Sequence, residues 1–182
     1  MTKFYTQTGD EGYTGLLGDE RTPKYDQRIE AIGAIDEANA TIGFARSICI
    51  NPQTSAILLV TQKDLYQIMS EIAASPGNAS RFRKITSARV DWLENQIDEI
   101  SKQISIPDQF IVPGDSNAGA AIDMARTIVR RAERKIAYLI HQKKVENPVL
   151  LQYMNRLSSL CFALELLENQ ASGNNALTYA RD

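Results

Sequence analysis

An all-α bundle of five long helices, running up and down, is the fold class that the 182-residue sequence predicts. Three observations predict it. Apolar residues recur by threes and fours over five successive stretches, Asn-Pro start signals stand before two of them, and no stretch alternates as a half-buried strand does. The length suits one domain with a substantial core, and no boundary interrupts the helices. Residues 1–182 therefore read as a single domain, with a Gly/Thr-rich loop over 1–25, a helical bundle over 26–173 and a tail over 174–182.

The opening segment differs from the rest. Gly9, Gly12, Gly15 and Gly18 recur at every third position among Thr6, Thr8 and Thr14, too densely for a helix and too briefly for collagen. It reads as a loop or short ribbon that makes close backbone contact with something. After Pro23 the period turns helical, and from Asp26 to about Ser47 a stripe runs through Ile29, Ile32, Ile35, Ala38, Ile42 and Ala45. Asn51-Pro52 pairs an N-cap with proline at the first helical position. The helix it opens carries Leu58, Leu65, Ile68 and Ile72, and stops before Ser75-Pro76-Gly77-Asn78.

From Thr86 to about Ile104, Val90, Leu93, Ile97, Ile100 and Ile104 keep an unbroken three–four alternation. Pro107 and the apolar connector Phe110-Ile111-Val112-Pro113-Gly114 end it. A long helix then spans about Ser116 to Gln142, burying Ala121, Ala125, Ile128, Ala132 and Leu139. Asn147-Pro148 repeats the start signal for a last helix lined by Leu150, Met154, Leu157, Cys161 and Leu164, with Gly173 suited to the left-handed position beyond its end.

Composition narrows the function classes. Twenty Lys and Arg against 22 Asp and Glu leave a net charge of −2, which predicts no nucleic-acid coat and no anionic membrane as partner. The single His141 excludes the paired ExxH ligands of a di-iron bundle and the HExxH of a zinc peptidase. Cys49 and Cys161 form no CxxC and read as small core residues of a reducing, cytoplasmic protein. No apolar run has the length of a membrane span, and Met-Thr-Lys-Phe-Tyr at the start has no signal-peptide core.

Four elements carry chemistry. On the fourth long helix Arg126, Arg130 and Arg134 recur one turn apart, with Asp123, Arg131 and Glu133 beside them. A solvated face laced with ion pairs is one reading; a row of planar guanidiniums for phosphate or carboxylate is the other. Asp36 lies next to Ile35, close to the apolar stripe of the first helix, and reads either as an exposed acid or as an ion-pair partner of the arginine helix. The glycines and threonines of the opening segment, with Lys24, read either as a flexible N-terminal arm or as amides, hydroxyls and a charge offered to a polyanion, although no Walker A loop or GxGxxG is present. Asn155 and Ser158-Ser159 read either as a polar notch in the last helix or as ordinary helix-surface polarity.

Together these residues resemble the PduO-type ATP:cob(I)alamin adenosyltransferases. The resemblance runs from Thr8-Gly9-Asp10, Gly12 and Thr14 through Lys24, Glu30-Ala31, Gly33, Asp36-Glu37 and Ile42-Gly43. It continues through Phe110 to Gly114, Ala125 to Arg134 and Asn155-Arg156-Leu157-Ser158, in order along nearly the whole chain. It implies a ferritin-like five-helix bundle, a homotrimer with sites at subunit interfaces, and transfer of the 5′-deoxyadenosyl group of ATP to cob(I)alamin with release of triphosphate. Thr6, Thr8, Gly9, Gly12, Thr14 and Lys24 would touch ATP. Arg130 would bind the triphosphate, with Glu133, Arg134 and Asn155 in the same site. Asp36 and Arg126 would form an ion pair that shapes it, and Phe110 would press on the lower corrin face.

The resemblance implies Mg²⁺ carried mainly by the ATP phosphates, with Glu133 as its protein ligand. A reductase and an adenosylcobalamin-dependent mutase or dehydratase are the partners it suggests. Asp115 stands where the family usually has a second glycine after Pro-Gly, and Ser159 where it usually has an acid. These departures motivate the alternative reading, a non-catalytic relative that binds or delivers adenosylcobalamin or senses ATP.

Overall fold

The computed structural model describes residues 4–18, 20–75, 77–173 and 177–181. Met1 to Lys3 of the opening, Pro76 of the second helix's stop signal, and residues 174–176 and 182 of the tail lie outside the described residues. Among the described residues there are five long helices: α1 (Gln27–Ile48), α2 (Pro52–Ala73), α4 (Ser87–Ser101), α5 (Asn117–His141) and α6 (Val149–Ala171). Two small elements accompany them, a short helix α3 (Ala79–Phe82) and a hairpin of β1 (Tyr13–Gly15) with β2 (Arg21–Pro23). The opening segment is thus a ribbon as well as a loop.

Local signals explain most boundaries. Asp26 caps α1 by accepting the Arg28 amide at 2.8 Å, and Asn51 caps α2 by accepting that of Gln53 at 2.9 Å. Asn147 accepts the Val149 amide at 3.2 Å as α6 begins, and Gly173 ends that helix at φ 80°. Ser116 rather than Asp115 caps α5, its Oγ accepting the Gly119 amide at 2.9 Å. A methyl group on Gly119 would stand 2.2 Å from Asn169 Oδ1, so this contact with α6 requires glycine.

The helices alternate in direction. Ascending α1 from Glu30 to Glu37 meets Lys135 and then Arg131 of α5, an antiparallel pairing. Asn155 of α6 meets Glu133 of α5, while Asn169 meets Ser116, so these two are antiparallel as well. α1, α2, α5 and α6 pack around one core, and α4 covers the outer side of α6. The core holds Ile35, Ile42, Leu65, Ile136, Leu157 and Leu164, all inaccessible to solvent. The closely packed α1 and α5 both bury alanines, which lets their backbones approach.

Candidate functional site

The ribbon gathers the predicted amino-terminal residues. Gly12 sits at φ 80°, where a side chain would be strained, and its carbonyl accepts the Lys24 amide at 2.8 Å. The Lys24 amine lies over Gly9, 3.0 Å from where a Cβ would stand. The Thr6 and Thr8 hydroxyls are 2.9 Å apart, and Thr14 pairs with Thr22 across the hairpin. Arg21 donates to the Thr8 carbonyl at 2.5 Å and so holds the loop against the strand, a role the sequence analysis did not assign. Leu17 anchors the ribbon to the end of α2, donating to Ala73 and accepting from Ser75.

The long helix α5 presents charge in two directions. Arg131 and Lys135 engage Glu37 and Glu30 of α1, stitching the bundle. Arg126, Arg130 and Arg134 face elsewhere. Arg126 Nε donates to Asp123 Oδ1 at 2.6 Å, and desolvation of the guanidinium does not outweigh this bond, which raises its pKa. Arg130 and Arg134 are exposed, and neither makes an ion pair among the described residues. Glu133 Oε1 accepts from Asn155 Nδ2 at 3.0 Å, which joins the arginine helix to the polar notch of α6. Asn155 in turn accepts from Arg156, whose Nε donates to Glu94 at 2.7 Å.

Within the chain, Asp36 makes no ion pair with Arg126 among the described residues. It is exposed, on the side of α1 that carries exposed Gly33 and Ala40, and Arg126 is engaged by Asp123 instead. One residue on, Glu37 does meet α5 within the chain, as Glu30 does two turns earlier. A step of about 100° around the helix separates the two outcomes. Cys161 is buried as expected, but Cys49 is only half-buried at the end of α1.

Two clefts flank Arg126. One of about 350 Å³ is lined by Ile97, Ile104, Arg126, Arg130, Ser159 and Phe162. The other, of about 560 Å³, lies beneath the connector and is lined by Pro107, Phe110, Pro113, Asp123, Arg126 and Phe162. Phe162 belongs to both, yet a lone aromatic on a helical stripe gave no signal of it. Phe110 is 89 % exposed, an apolar ring left in water with nothing packed on its outer face. Its backbone is nonetheless fixed, because its carbonyl accepts the Ala180 amide at 2.8 Å and Val112 donates to the Thr178 carbonyl at 2.7 Å. Asp115 accepts from the amide and hydroxyl of Thr178, at 3.0 and 2.7 Å, and so fastens the tail beside this connector.

The ribbon and the connector sit at opposite ends of the bundle. Phe110 precedes the start of α5, whereas the ribbon is anchored where α2 ends and α1 begins, beside the end of α5. The 25 residues of α5 span roughly 37 Å at about 1.5 Å per residue. A chain of this shape is a mostly helical bundle whose arginine row lies between two anchoring regions, with an exposed aromatic platform at one of them.

The chain belongs to the cobalamin adenosyltransferase family, whose profile it matches over residues 4–168. It is 37% identical to a corrinoid adenosyltransferase of Bacillus subtilis, covering 98% of this chain and 93% of that one. It is 36% identical to the corrinoid adenosyltransferase PduO of Citrobacter freundii, of whose length it spans about half (51%). In three dimensions it is similar to a variant PduO-type ATP:corrinoid adenosyltransferase from Lactobacillus reuteri complexed with cobalamin and ATP. That likeness has a TM-score of 0.88 and 32% identity, and covers 98% of this chain and 97% of the other. The chain is accordingly a transferase of the ATP:corrinoid adenosyltransferase class.

Proposed function

We propose that this chain transfers the 5′-deoxyadenosyl group of ATP to cob(I)alamin at a site completed between subunits. The observation that carries the reading is the arginine row beside a cleft whose far wall leads to an exposed Phe110. Cobalt(I) is itself a nucleophile, so no Ser–His or Cys–His pair is required. A bond forms from cobalt to C5′, the C5′–O bond breaks, and the electron pair leaves with triphosphate. The protein aligns the two centres, an effect worth up to roughly 7–11 kcal/mol, and stabilises charge on the leaving group. Arg130 and Arg134 grip the triphosphate, and Glu133 and Asn155 hold each other beside it. The ribbon, with Thr6, Thr8, Gly9, Gly12, Thr14 and Lys24, wraps the nucleotide.

Among the described residues no three His, Cys, Asp or Glu side chains converge into a metal site. Mg²⁺ would be carried mainly by the ATP phosphates, where it neutralises charge, with Glu133 as the candidate protein ligand. Among the described residues no helix is long and apolar enough to cross a membrane. From its free cysteines we place the protein in the cytoplasm, with a reductase that supplies cobalt(I). An adenosylcobalamin-dependent mutase or dehydratase would receive the product.

A homotrimer accounts for the separation of ribbon and connector, since a neighbour's ribbon can reach this chain's arginines. Exposed Phe44, Ile50 and Met124 border a groove between α1 and α5 and supply apolar area for such a contact. Asp36, exposed and without an ion pair among the described residues of its own chain, then pairs with a neighbour's Arg126. Asp36→Ala should weaken association in sedimentation without changing helix content; unchanged association would remove Asp36 from the interface.

The direct test is conversion of chemically reduced cobalamin to adenosylcobalamin with Mg-ATP. Cobalamin binding without turnover would favour the non-catalytic reading. Phe110 shields the lower corrin face, which excludes an axial ligand and makes cobalt(I) easier to reach. Phe110→Ala should lower turnover by about 10²-fold and erase the four-coordinate cobalt(II) signal seen with ATP. The ring is too exposed to matter for folding, so the melting temperature should stay put. A variant that keeps the signal would assign the platform elsewhere.

A further inference from the structure

Behind Arg126 lies a group that the reading above does not use. Glu165 on α6 is 1 % exposed, and neither of its carboxyl oxygens has a hydrogen-bond partner among the described residues. The strongest charge upon it is the Asp123 carboxylate of α5, the same group that holds Arg126. Two buried carboxylates and one half-buried guanidinium carry a net negative charge when all are ionised, an expensive state. One proton on Glu165 makes the trio neutral and turns the repulsion into a hydrogen bond. We propose that Glu165 is a positioning residue: protonated, it donates to Asp123, so that Arg126 is held loosely enough to reach into both clefts, and its ionisation draws Arg126 back.

The surroundings support that proton. Burial first and Asp123 second push the Glu165 carboxyl up to about 8, while Arg126 opposes them. The other groups facing it are Asp115 of the connector and the buried Cys161 one turn earlier on α6. Elsewhere around α6, Glu94 of α4 is paired with Arg156, and Asp64 of α2 with Arg89 and Tyr153. The cations there, Arg156 and Arg89, are thus engaged by other acids and do not neutralise Glu165. Because the unfolded chain ionises this carboxyl at the ordinary value, the native state must take up a proton above that value. Stability is therefore full below the ordinary carboxylate range and declines as pH rises toward about 8. Glu165→Gln, which cannot ionise, should melt higher than wild type in mildly alkaline buffer.

The inference rests on Arg126 working in the proposed site, so its test has two arms. Infrared spectroscopy of the whole protein should show the carbonyl band of a buried protonated acid at pH 7, fading by pH 9 and missing in Glu165→Gln. The KM for cob(I)alamin should rise roughly tenfold in wild type from pH 7 to pH 9, equivalent to about 1.4 kcal/mol. In Glu165→Gln the same ratio should stay near one. No band at pH 7, or equal ratios in the two proteins, overturns the proposal. A chain with no turnover at any pH overturns the proposed activity and the Arg126 half of this inference, while the band still decides the proton.

Discussion

Replacing Arg130 by alanine should lower adenosylcobalamin formation by about 10²–10³-fold, the cost of losing one preorganised donor to a developing charge. Unfolding should not change by more than about 0.5 kcal/mol, the usual range for a surface position. Both halves follow from geometry. Arg130 is exposed, makes no ion pair among the described residues and lines the cleft beside Arg126 and Ser159, so it holds nothing of the bundle together. Its neighbour Arg131 is turned to Glu37 and does structural work instead. Single-turnover conversion under strong reductant measures the first effect, and chemical unfolding the second. Arg130→Lys keeps the charge but loses the planar fork, and should fall between alanine and wild type. A drop smaller than tenfold in Arg130→Ala would move the triphosphate off this row.

The largest loss of stability should come from Asp64. Its Oδ2 accepts from Arg89 Nε and Nη2 at 3.0 and 2.5 Å and from the Tyr153 hydroxyl at 2.8 Å. Tyr153 is inaccessible to solvent, and burial beside Asp64 raises its pKa well above the ordinary value. The network joins α2, α4 and α6, and Arg89 also lies 4.6 Å from the centroid of the Trp92 ring. Asp64→Ala leaves a buried hydroxyl without a partner and a half-buried guanidinium without its counter-charge, together about 2–4 kcal/mol. Tyr153→Phe removes the hydroxyl along with its need and should cost closer to 1 kcal/mol. Urea unfolding of the two variants compares them; equal losses would mean that the hydroxyl, and not the charge, sets the cost.

Helix existence was legible wherever the three–four stripe coincided with a cap. Asp26, Asn51-Pro52 and Gly173 all act where their residue types predict. The hairpin was less legible, since strands of three residues are too short for alternation to register. At the site, the arginine row and Phe110 stood out because charge on a helix face and an apolar run in a connector are local patterns. Partners were not local. Whether Asp36 or Glu37 meets α5 depends on where a stripe edge falls, and Arg126 found Asp123 on its own helix. Glu165 was hidden for a related reason. It sits in a helix that buries nearly every residue over its last three turns, so no contrast with its neighbours marks it.

The departure at Asp115 has a physical account in its grip on Thr178, a contact that a glycine could not make with a side chain. It fixes the strand-like pairing of Ile111 with Tyr179 beside Phe110.

The placement of ribbon and aromatic platform at far ends of one molecule reaches beyond chemistry. On the proposed reading a solitary polypeptide possesses half of each of two sites and no whole one. Specific activity then inherits the assembly equilibrium, and a cell that makes little of this enzyme obtains disproportionately less from it.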